Sequence, residues 1–315
     1  MSVNLAGNIL VTGTSRGIGL ELVKQLAEKT GKEAHIYAGC RDPEGKRAKD
    51  VRDLATQFPG KITIIKLDMS DEDSMSAAFQ TVSRQIEPAG LNLLINNAAI
   101  NKPDAPASML ATRKQDMMEV YETNVTGPFI LTKVFLPLLQ RAAKTNDEGD
   151  PMSCRRSAVI NISTLLSSME RCPETFQSAQ MYPYRTSKAA LNMLTRCQAE
   201  DFRIHNIMVT AIHPGWVRTE MGGEQAPLTT QESVAGMLSV ISTLSNKDTG
   251  KLLDGHPPRL GSYGDGWRTG PSDHPGKRSW NAQCDINTKQ QRHRKASGRR
   301  EQCNPLVVIL STMPN

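Results

Sequence analysis

Tyr184 and Lys188 lie four residues apart, and this spacing points to proton-transfer chemistry. If residues 184–201 form a helix, positions i and i+4 share one face, so that a phenol lies beside an ammonium group. An unperturbed tyrosine has a pKa of roughly 10, and a nearby positive charge favours the phenolate. The pair is therefore suited to general acid–base work near neutral pH. Because Y-x-x-x-K spacing is frequent by chance, its meaning depends on the motifs that precede it.

A glycine-bearing turn near the start of the chain predicts a dinucleotide site. It follows an apolar strand at 8–12 and opens a helix, and it contains Gly13, Ser15, Arg16, Gly17, Ile18 and Gly19. Glycines at such a turn let the backbone approach a pyrophosphate at the N-terminus of a helix. The strand–turn–helix context favours cofactor binding over simple turn geometry.

The residues after the second predicted strand indicate which dinucleotide is preferred. That strand, at 34–38, is followed by Gly39-Cys40-Arg41 and has no carboxylate at its end to bond the 2′-hydroxyl of NAD. Arg41 and Arg16 can instead pair with the 2′-phosphate of NADP. Two alternatives stay open: the arginines are solvated, or Asp42 approaches a ribose hydroxyl. The pattern favours NADPH/NADP+ as the cofactor.

Strands alternate with helices as far as residue 254. Strands are expected at 8–12, 34–38, 62–67, 91–95, 157–162, 208–212 and 250–254. Helices are expected from Ile18 to a Gly31 cap, from a Ser70–Asp73 capping box, over 113–142 and 184–201, and from a Thr229–Glu232 capping box through Leu244. Near-continuous apolar strands indicate a parallel sheet covered on both faces. We therefore predict one doubly wound α/β domain of the Rossmann type over 1–254, with its active site at the carboxyl ends of the strands.

Residues 255–315 differ in composition from the rest of the chain. They contain seven Gly and six Pro, and their ten Lys and Arg against four Asp and Glu account for the whole formal net charge of +6. Such a segment buries too little apolar area to offset its ordering entropy. We expect an irregular, disordered tail, although the short apolar run 306–310 could dock on the domain.

Other functional classes are not favoured. The apolar residues 9–11 are too few for a signal peptide and no run of 18 apolar residues could span a membrane, so we expect a cytoplasmic protein without a membrane partner. The six cysteines form no C-x-x-C pair and the six histidines have no metal-ligand spacing, so no metal site is expected. Because residues 1–254 carry equal numbers of cations and anions, nucleic acid is not an expected partner.

In motif order and spacing, residues 6–254 resemble the classical short-chain dehydrogenases/reductases. The matching pieces are T-G-x-x-x-G-I-G at 12–19, Asn96-Asn97-Ala98-Ala99, Asn124, Ser163-Thr164, Tyr184 with Lys188, and Pro214-Gly215-x-Val217-x-Thr219. Within that family the chain is especially similar to sniffer-type carbonyl reductases and C-factor-like proteins. The similarity rests on the polar insert 144–156, the segment 184–192 and His213-Pro214-Gly215-Trp216-Val217.

The resemblance implies catalytic roles. Tyr184 would donate a proton to a substrate carbonyl, Lys188 would hold the nicotinamide ribose and lower the phenol pKa, and Asn124 would support a proton-relay water. The family's catalytic serine is the second residue of an S-S pair, which here is Thr164 after Ser163. A threonine hydroxyl can still donate to a carbonyl, although its β-branch restricts the rotamer.

The resemblance also implies a set of cofactor contacts. They fall in turns that follow the strands and in the catalytic helix: Gly13, Ser15, Arg16, Gly17, Ile18, Gly19, Arg41, Asp68, Asn96, Ala98, Tyr184, Lys188, Pro214, Gly215, Val217 and Thr219. Asp68 would meet the adenine, the turn 96–98 would lie along the cofactor, and Thr219 would hold the carboxamide end. Ala99 stands where the family has a glycine, which matters only if the backbone there needs a positive φ.

The separation of Thr164 and Tyr184 exceeds the family's usual spacing, so residues 168–183 are expected to form a loop over the substrate entrance. The helices at 113–142 and 184–201 form dimer faces in relatives, which implies a homodimer.

The predicted function is NADPH-dependent reduction of an aldehyde, ketone or quinone. A cofactor-binding signalling or scaffold protein with little turnover is the alternative, to which Thr164 adds weight.

Overall fold

Seven parallel strands form one sheet within residues 3–103, 108–144 and 152–255, which are the residues that the computed structural model describes. The strands are β1 (Asn8–Thr12), β2 (His35–Cys40), β3 (Ile62–Lys66), β4 (Leu91–Asn96), β5 (Ala158–Ile162), β6 (Met208–His213) and β7 (Leu252–Asp254). Their order is β3-β2-β1-β4-β5-β6-β7, so the direction of winding reverses between β1 and β4. Ligands of such sheets bind beyond the carboxyl ends of the strands at this reversal.

Helices cover both faces of the sheet. In the described ranges they are α1 (Gly17–Lys29), α2 (Lys49–Gln57), α3 (Glu72–Ile86), α4 (Lys114–Tyr121), α5 (Gly127–Ala143), α6 (Cys172–Thr175), α7 (Tyr182–Asp201) and α8 (Thr230–Ile241). On one face Leu22 of α1, Val51 of α2 and Met237 of α8 are fully buried. On the other face α3 and α5 bury Met75 and Phe135. The doubly wound α/β prediction is therefore confirmed.

Local capping signals predicted one helix start and misplaced another. Thr229 and Glu232 form the predicted capping box, each side chain accepting the other's backbone amide at 3.1 Å. The predicted cap at Ser70 is wrong, because the carboxylate of Asp71 accepts two amides at the start of α3. The Ser70 hydroxyl instead donates to Asp68 at 2.8 Å.

Two expected helices end or continue differently from the sequence prediction. Gly31 does not cap α1, which ends at Lys29 with Thr30 as an extended cap residue whose amide donates to Leu26 O at 3.1 Å. The helix expected over 113–142 is interrupted by a π-helical turn at Glu122–Thr126, so that α4 and α5 are separate segments. Such turns are frequent at functional sites.

The last strand of the described residues ends where the domain was expected to end. β7 pairs in parallel with β6, and the Gly255 amide donates to His213 O at 2.8 Å. The predicted tail lies, apart from Gly255, outside the described residues, as does most of the insert 144–156. The boundary at 254 therefore stays a prediction. Within the described ranges, no helix is both long and apolar enough to cross a bilayer.

Candidate active site

The glycine turn joins β1 to α1 and packs against the turn that follows β4. Gly13 has a φ of +70°, and a Cβ there would lie 2.8 Å from the Cα of Ala98. A Cβ on Gly19 would lie 2.1 Å from the carbonyl oxygen of Gly13. Among the described residues, no side chain caps the first amides of α1 and its first turn carries no carboxylate. These amides form a positive end that suits a pyrophosphate.

Hydrogen bonds hold the β1 and β4 turns together. The Thr12 hydroxyl oxygen accepts the backbone amides of Asn97 and Ala98, both at 3.0 Å, while the Asn97 side chain donates to Thr12 O at 2.9 Å. Asn96 is buried and donates to Asn161 of β5 at 2.8 Å, so its side chain joins adjacent strands. Ala99 has no positive φ, so its backbone does not need the glycine that the family has at this position.

Tyr184 and Lys188 lie on the first turns of α7, as the i+4 spacing predicted. The Lys188 ammonium nitrogen donates to Ile162 O, at the end of β5, over 2.7 Å and lies 5.7 Å from the Tyr184 ring centre. Burial lowers the pKa of Lys188 to about 7 and raises the pKa of Tyr184 to about 12. The shift of Tyr184 is opposite to the sequence expectation, because loss of water disfavours both charged forms. Tyr184 therefore holds its proton at neutral pH.

Ser163 and Thr164 follow β5 and differ in how their hydroxyl groups are used. The Ser163 hydroxyl donates to Asn192 Oδ1 of α7 at 2.6 Å. The Thr164 hydroxyl oxygen accepts the backbone amide of Leu166 at 3.2 Å. A hydroxyl that accepts an amide keeps its own hydrogen for another acceptor. The two neighbouring hydroxyl groups thus have different donor capacities towards a ligand.

Asn124 lies in the π-helical turn and is completely buried. Its Oδ1 accepts the Ile100 amide and its Nδ2 donates to Ile100 O, both at 2.9 Å. Nδ2 also donates to the Ser187 hydroxyl of α7 at 3.1 Å. Asn124 thereby connects the segment after β4 to the helix that carries Tyr184 and Lys188.

The sequence matches the family described as short chain dehydrogenase over residues 7–228. The chain belongs to the short-chain dehydrogenase family. It is similar to the NADPH-bound carbonyl reductase from chicken fatty liver, at 42% identity and a TM-score of 0.74 over 81% of this chain and 97% of that one. Carbonyl reductase Sniffer of D. melanogaster is 36% identical, with a TM-score of 0.73 over 79% and 97%. Short-chain dehydrogenase anuI of Penicillium roqueforti is 32% identical over 78% of this chain and 93% of its own.

Membership of the short-chain dehydrogenases confirms the resemblance that the sequence motifs indicated, including the similarity to sniffer-type carbonyl reductases. The chain is therefore an oxidoreductase with a nicotinamide-cofactor site. In this short-chain dehydrogenase the glycine turn, the β4 turn and the start of α7 all lie at the carboxyl edge of the sheet.

Three arginines of this short-chain dehydrogenase belong to the turns that follow β1 and β2: Arg16 in the glycine turn, and Arg41 and Arg47 after β2. Arg16 lies 3.2 Å and Arg47 3.9 Å from the Glu220 carboxylate, and Arg41 is exposed at the end of β2. Asp42 accepts a backbone amide three residues along at 3.0 Å, so it stabilises its own turn. Arg47 was missed by the sequence analysis, although its position six residues after Arg41 was a usable signal.

The segment after β6 lies against the glycine turn. A Cβ on Gly17 would lie 3.5 Å from the methyl group of Thr219, and the Thr219 hydroxyl oxygen accepts a backbone amide at 3.0 Å. Pro214 O accepts a serine hydroxyl of α8 at 2.6 Å, and Val217 makes an isolated parallel bridge.

Asp68, which follows β3, accepts two hydrogen bonds from Ser70. No described contact of Asp68 tests its expected role at the adenine.

The segment expected to form a loop between Thr164 and Tyr184 is partly helical. A 3-10 turn at Leu165–Ser167 precedes the predicted loop 168–183, and the short helix α6 lies within that loop. Arg185 lies in the segment 184–192 that contributed to the family resemblance, and it donates three hydrogen bonds to residues between Thr164 and Tyr184. Asn192 contacts both Ser163 and Ser167. Asn192 follows Lys188 by four residues, which is the helical spacing by which it could have been found, whereas Arg185 directly follows Tyr184 and had no such signal.

Proposed function

We propose that the chain reduces the carbonyl group of an aldehyde, ketone or quinone with NADPH, and that Tyr184 donates the proton. The observation that carries the proposal is the anchoring of Lys188 to Ile162 O, beside Tyr184 and two residues before Thr164. That contact brings a phenol, an ammonium group and a threonine hydroxyl to one end of β5. Carbonyl reduction needs a proton donor and a hydrogen-bond donor at one oxygen.

The residues present fit an NADP-type dinucleotide. The uncapped start of α1 and the close glycine packing suit a pyrophosphate. Arg16, Arg41 and Arg47 supply cations for a 2′-phosphate, and guanidinium groups bind phosphate with strong charge-assisted bonds. Lys188 would hold the nicotinamide ribose, and Thr219 the carboxamide end. When bound, NADPH supplies hydride to the carbonyl carbon.

The side chains divide the remaining work. Tyr184, whose pKa of about 12 keeps it protonated, transfers its hydroxyl proton to the substrate oxygen. The Thr164 hydroxyl donates a hydrogen bond to the same oxygen and stabilises the negative charge that develops there. Asn124 supports the water that returns a proton to Tyr184. Ser163 takes a supporting role, because its hydroxyl hydrogen is bonded to Asn192.

The assembly and the domain boundary belong to the same proposal. Exposed apolar side chains lie on the helices expected to form dimer faces: Met118 and Tyr121 of α4, Phe129 of α5 and Met193 of α7. Burying such a surface favours a homodimer. Residues 1–254 form the catalytic domain, acting on a small-molecule carbonyl in the cytoplasm without a nucleic-acid or membrane partner.

Turnover with a carbonyl panel tests the proposal. NADPH absorbance is followed with aldehydes, ketones and quinones for the parent, Tyr184→Phe and Tyr182→Phe. Tyr184→Phe should lower kcat by about 10²–10⁴-fold and keep NADPH affinity, since it removes only the proton donor. Tyr182→Phe removes the hydroxyl of the tyrosine two residues earlier on α7, which has no lysine at i+4, and should leave kcat unchanged. Equal activity of Tyr184→Phe and the parent would refute the assignment.

The same experiment separates the enzyme from its alternative. A cofactor-binding signalling or scaffold protein would bind NADPH tightly and oxidise it with no member of the panel. In such a protein Tyr184→Phe would change neither the NADPH affinity nor the lack of turnover.

A further inference from the structure

Arg185 is an almost fully buried arginine that follows Tyr184 on α7, with 7% of its surface exposed. Its guanidinium donates to Ala179 O at 2.7 Å, to Leu166 O at 3.0 Å and to the Thr175 hydroxyl at 2.9 Å. It also lies 5.9 Å from the ring centre of Phe176. One side chain thus reaches both ends and the middle of the segment that separates Thr164 from Tyr184.

The contact with Leu166 is the one that leads to the reacting groups. Arg185 binds the carbonyl oxygen of Leu166, and the amide of Leu166 donates to the Thr164 hydroxyl oxygen at 3.2 Å. The backbone of Leu166 is therefore held on one side by Arg185 and holds Thr164 on the other. Because the amide occupies one lone pair of the Thr164 oxygen, the hydroxyl hydrogen is directed away from Leu166.

Asn192 supports the same turn from a second point on α7. Its Nδ2 donates to the Ser167 hydroxyl at 2.7 Å, and that hydroxyl donates to Thr164 O. Asn192 Oδ1 also accepts the hydroxyl of Ser163. These bonds fix the backbone around residue 164, whereas the Thr164 hydroxyl itself is bonded, among the residues that the structure describes, only by the Leu166 amide. Arg185 therefore has a separable effect on Thr164.

We propose that Arg185 is a positioning residue that orients the Thr164 hydroxyl towards the substrate carbonyl by holding Leu166. The inference rests on the proposed function, in which Thr164 donates to that carbonyl. A lysine cannot replace Arg185, because an ammonium group is a compact charge without the planar fork that reaches three separate acceptors. Small errors in the position of a reacting group reduce rates steeply.

A double-mutant cycle in the full chain tests the proposal. Arg185→Lys should lower kcat by roughly tenfold with unchanged NADPH Kd, and Thr164→Val should lower kcat by about 10²-fold. In the Thr164→Val background, Arg185→Lys should have almost no further effect, since the hydroxyl it positions is gone. Added guanidinium should partly restore the kcat of Arg185→Ala, but it should not restore the kcat of the double variant Arg185→Ala/Thr164→Val. Arg196→Lys, an exposed arginine on the same helix, is the matched control and should match the parent.

The outcomes separate the inference from the proposed function. If Arg185→Lys lowers kcat by the same factor in the parent and in Thr164→Val, the positioning role is overturned and the proposed function stays intact. Full activity of Thr164→Val would overturn the carbonyl-donor role of Thr164, and with it the inference. Should the Arg185 variants not fold, hydrogen exchange of Thr164→Val gives a second test. The Leu166 amide should exchange faster than in the parent, and unchanged protection would overturn the proposed link.

Discussion

Replacing the buried Lys188 by methionine should change how the stability of the protein depends on pH. Burial lowers the pKa of Lys188 from 10.5 to about 7 in the folded chain. Between these values the unfolded chain binds a proton that the folded chain has released. Stability rises with pH wherever the unfolded state binds more protons. The cofactor-free parent should therefore gain stability as pH rises from about 7, and Lys188→Met should lack this gain.

The size of the effect follows from the shift. Each pH unit well inside the window is worth about 1.36 kcal/mol, and the folded lysine is still half protonated at pH 7, so raising the pH from 7 to 9 should stabilise the parent by about 2 kcal/mol relative to Lys188→Met. In a domain of this length 1 kcal/mol moves the melting temperature by roughly 2–4 °C, which gives a relative shift of about 4–8 °C. Lys188 is 2% exposed, so solvent screening reduces the effect little.

The assay is thermal or urea unfolding of the cofactor-free protein at intervals from pH 6 to pH 9. Other titrating groups are common to parent and variant, so they cancel in the difference between the two curves. Lys133→Met removes an exposed lysine of α5 and should run parallel to the parent. If the Lys188→Met and parent curves are parallel across this range, Lys188 is not the desolvated ammonium group that its contacts indicate.

The remaining predictions concern the cofactor, the assembly and the tail. Arg41→Ala and Arg47→Ala should each weaken NADPH binding by at least about tenfold in calorimetric titration and leave NADH binding unchanged, because each removes a charge-assisted phosphate contact; equal losses for both cofactors would contradict this. Met118→Glu should convert a dimer into monomers in light-scattering chromatography, and a monomeric parent would disprove the dimer. A chain ending at Asp254 should bind NADPH and melt near the temperature of the parent, whereas an insoluble product would show that the tail belongs to the fold.

Short-range patterns determine much of this protein. The apolar strands, the glycine turn at 13–19 and the Thr229–Glu232 capping box are readable because their physical causes lie within a few residues of one another. The Tyr184–Lys188 pair belongs to this class, since helical geometry alone brings positions i and i+4 together. Their order and spacing were enough to identify the family and its Rossmann-type sheet.

Long-range contacts and burial had to come from the folded chain. No local pattern shows that Glu220 meets Arg16 and Arg47, that Arg185 reaches Leu166, or that Asn124 binds Ile100. The sequence predicted the wrong direction for the pKa shift of Tyr184. The i+4 spacing shows that a positive charge is near, but only the packing of the folded chain shows that the phenol is buried away from water. Distances along the chain thus define which groups are adjacent on one element, whereas the packing of separate elements sets their solvent, their partners and hence their chemistry.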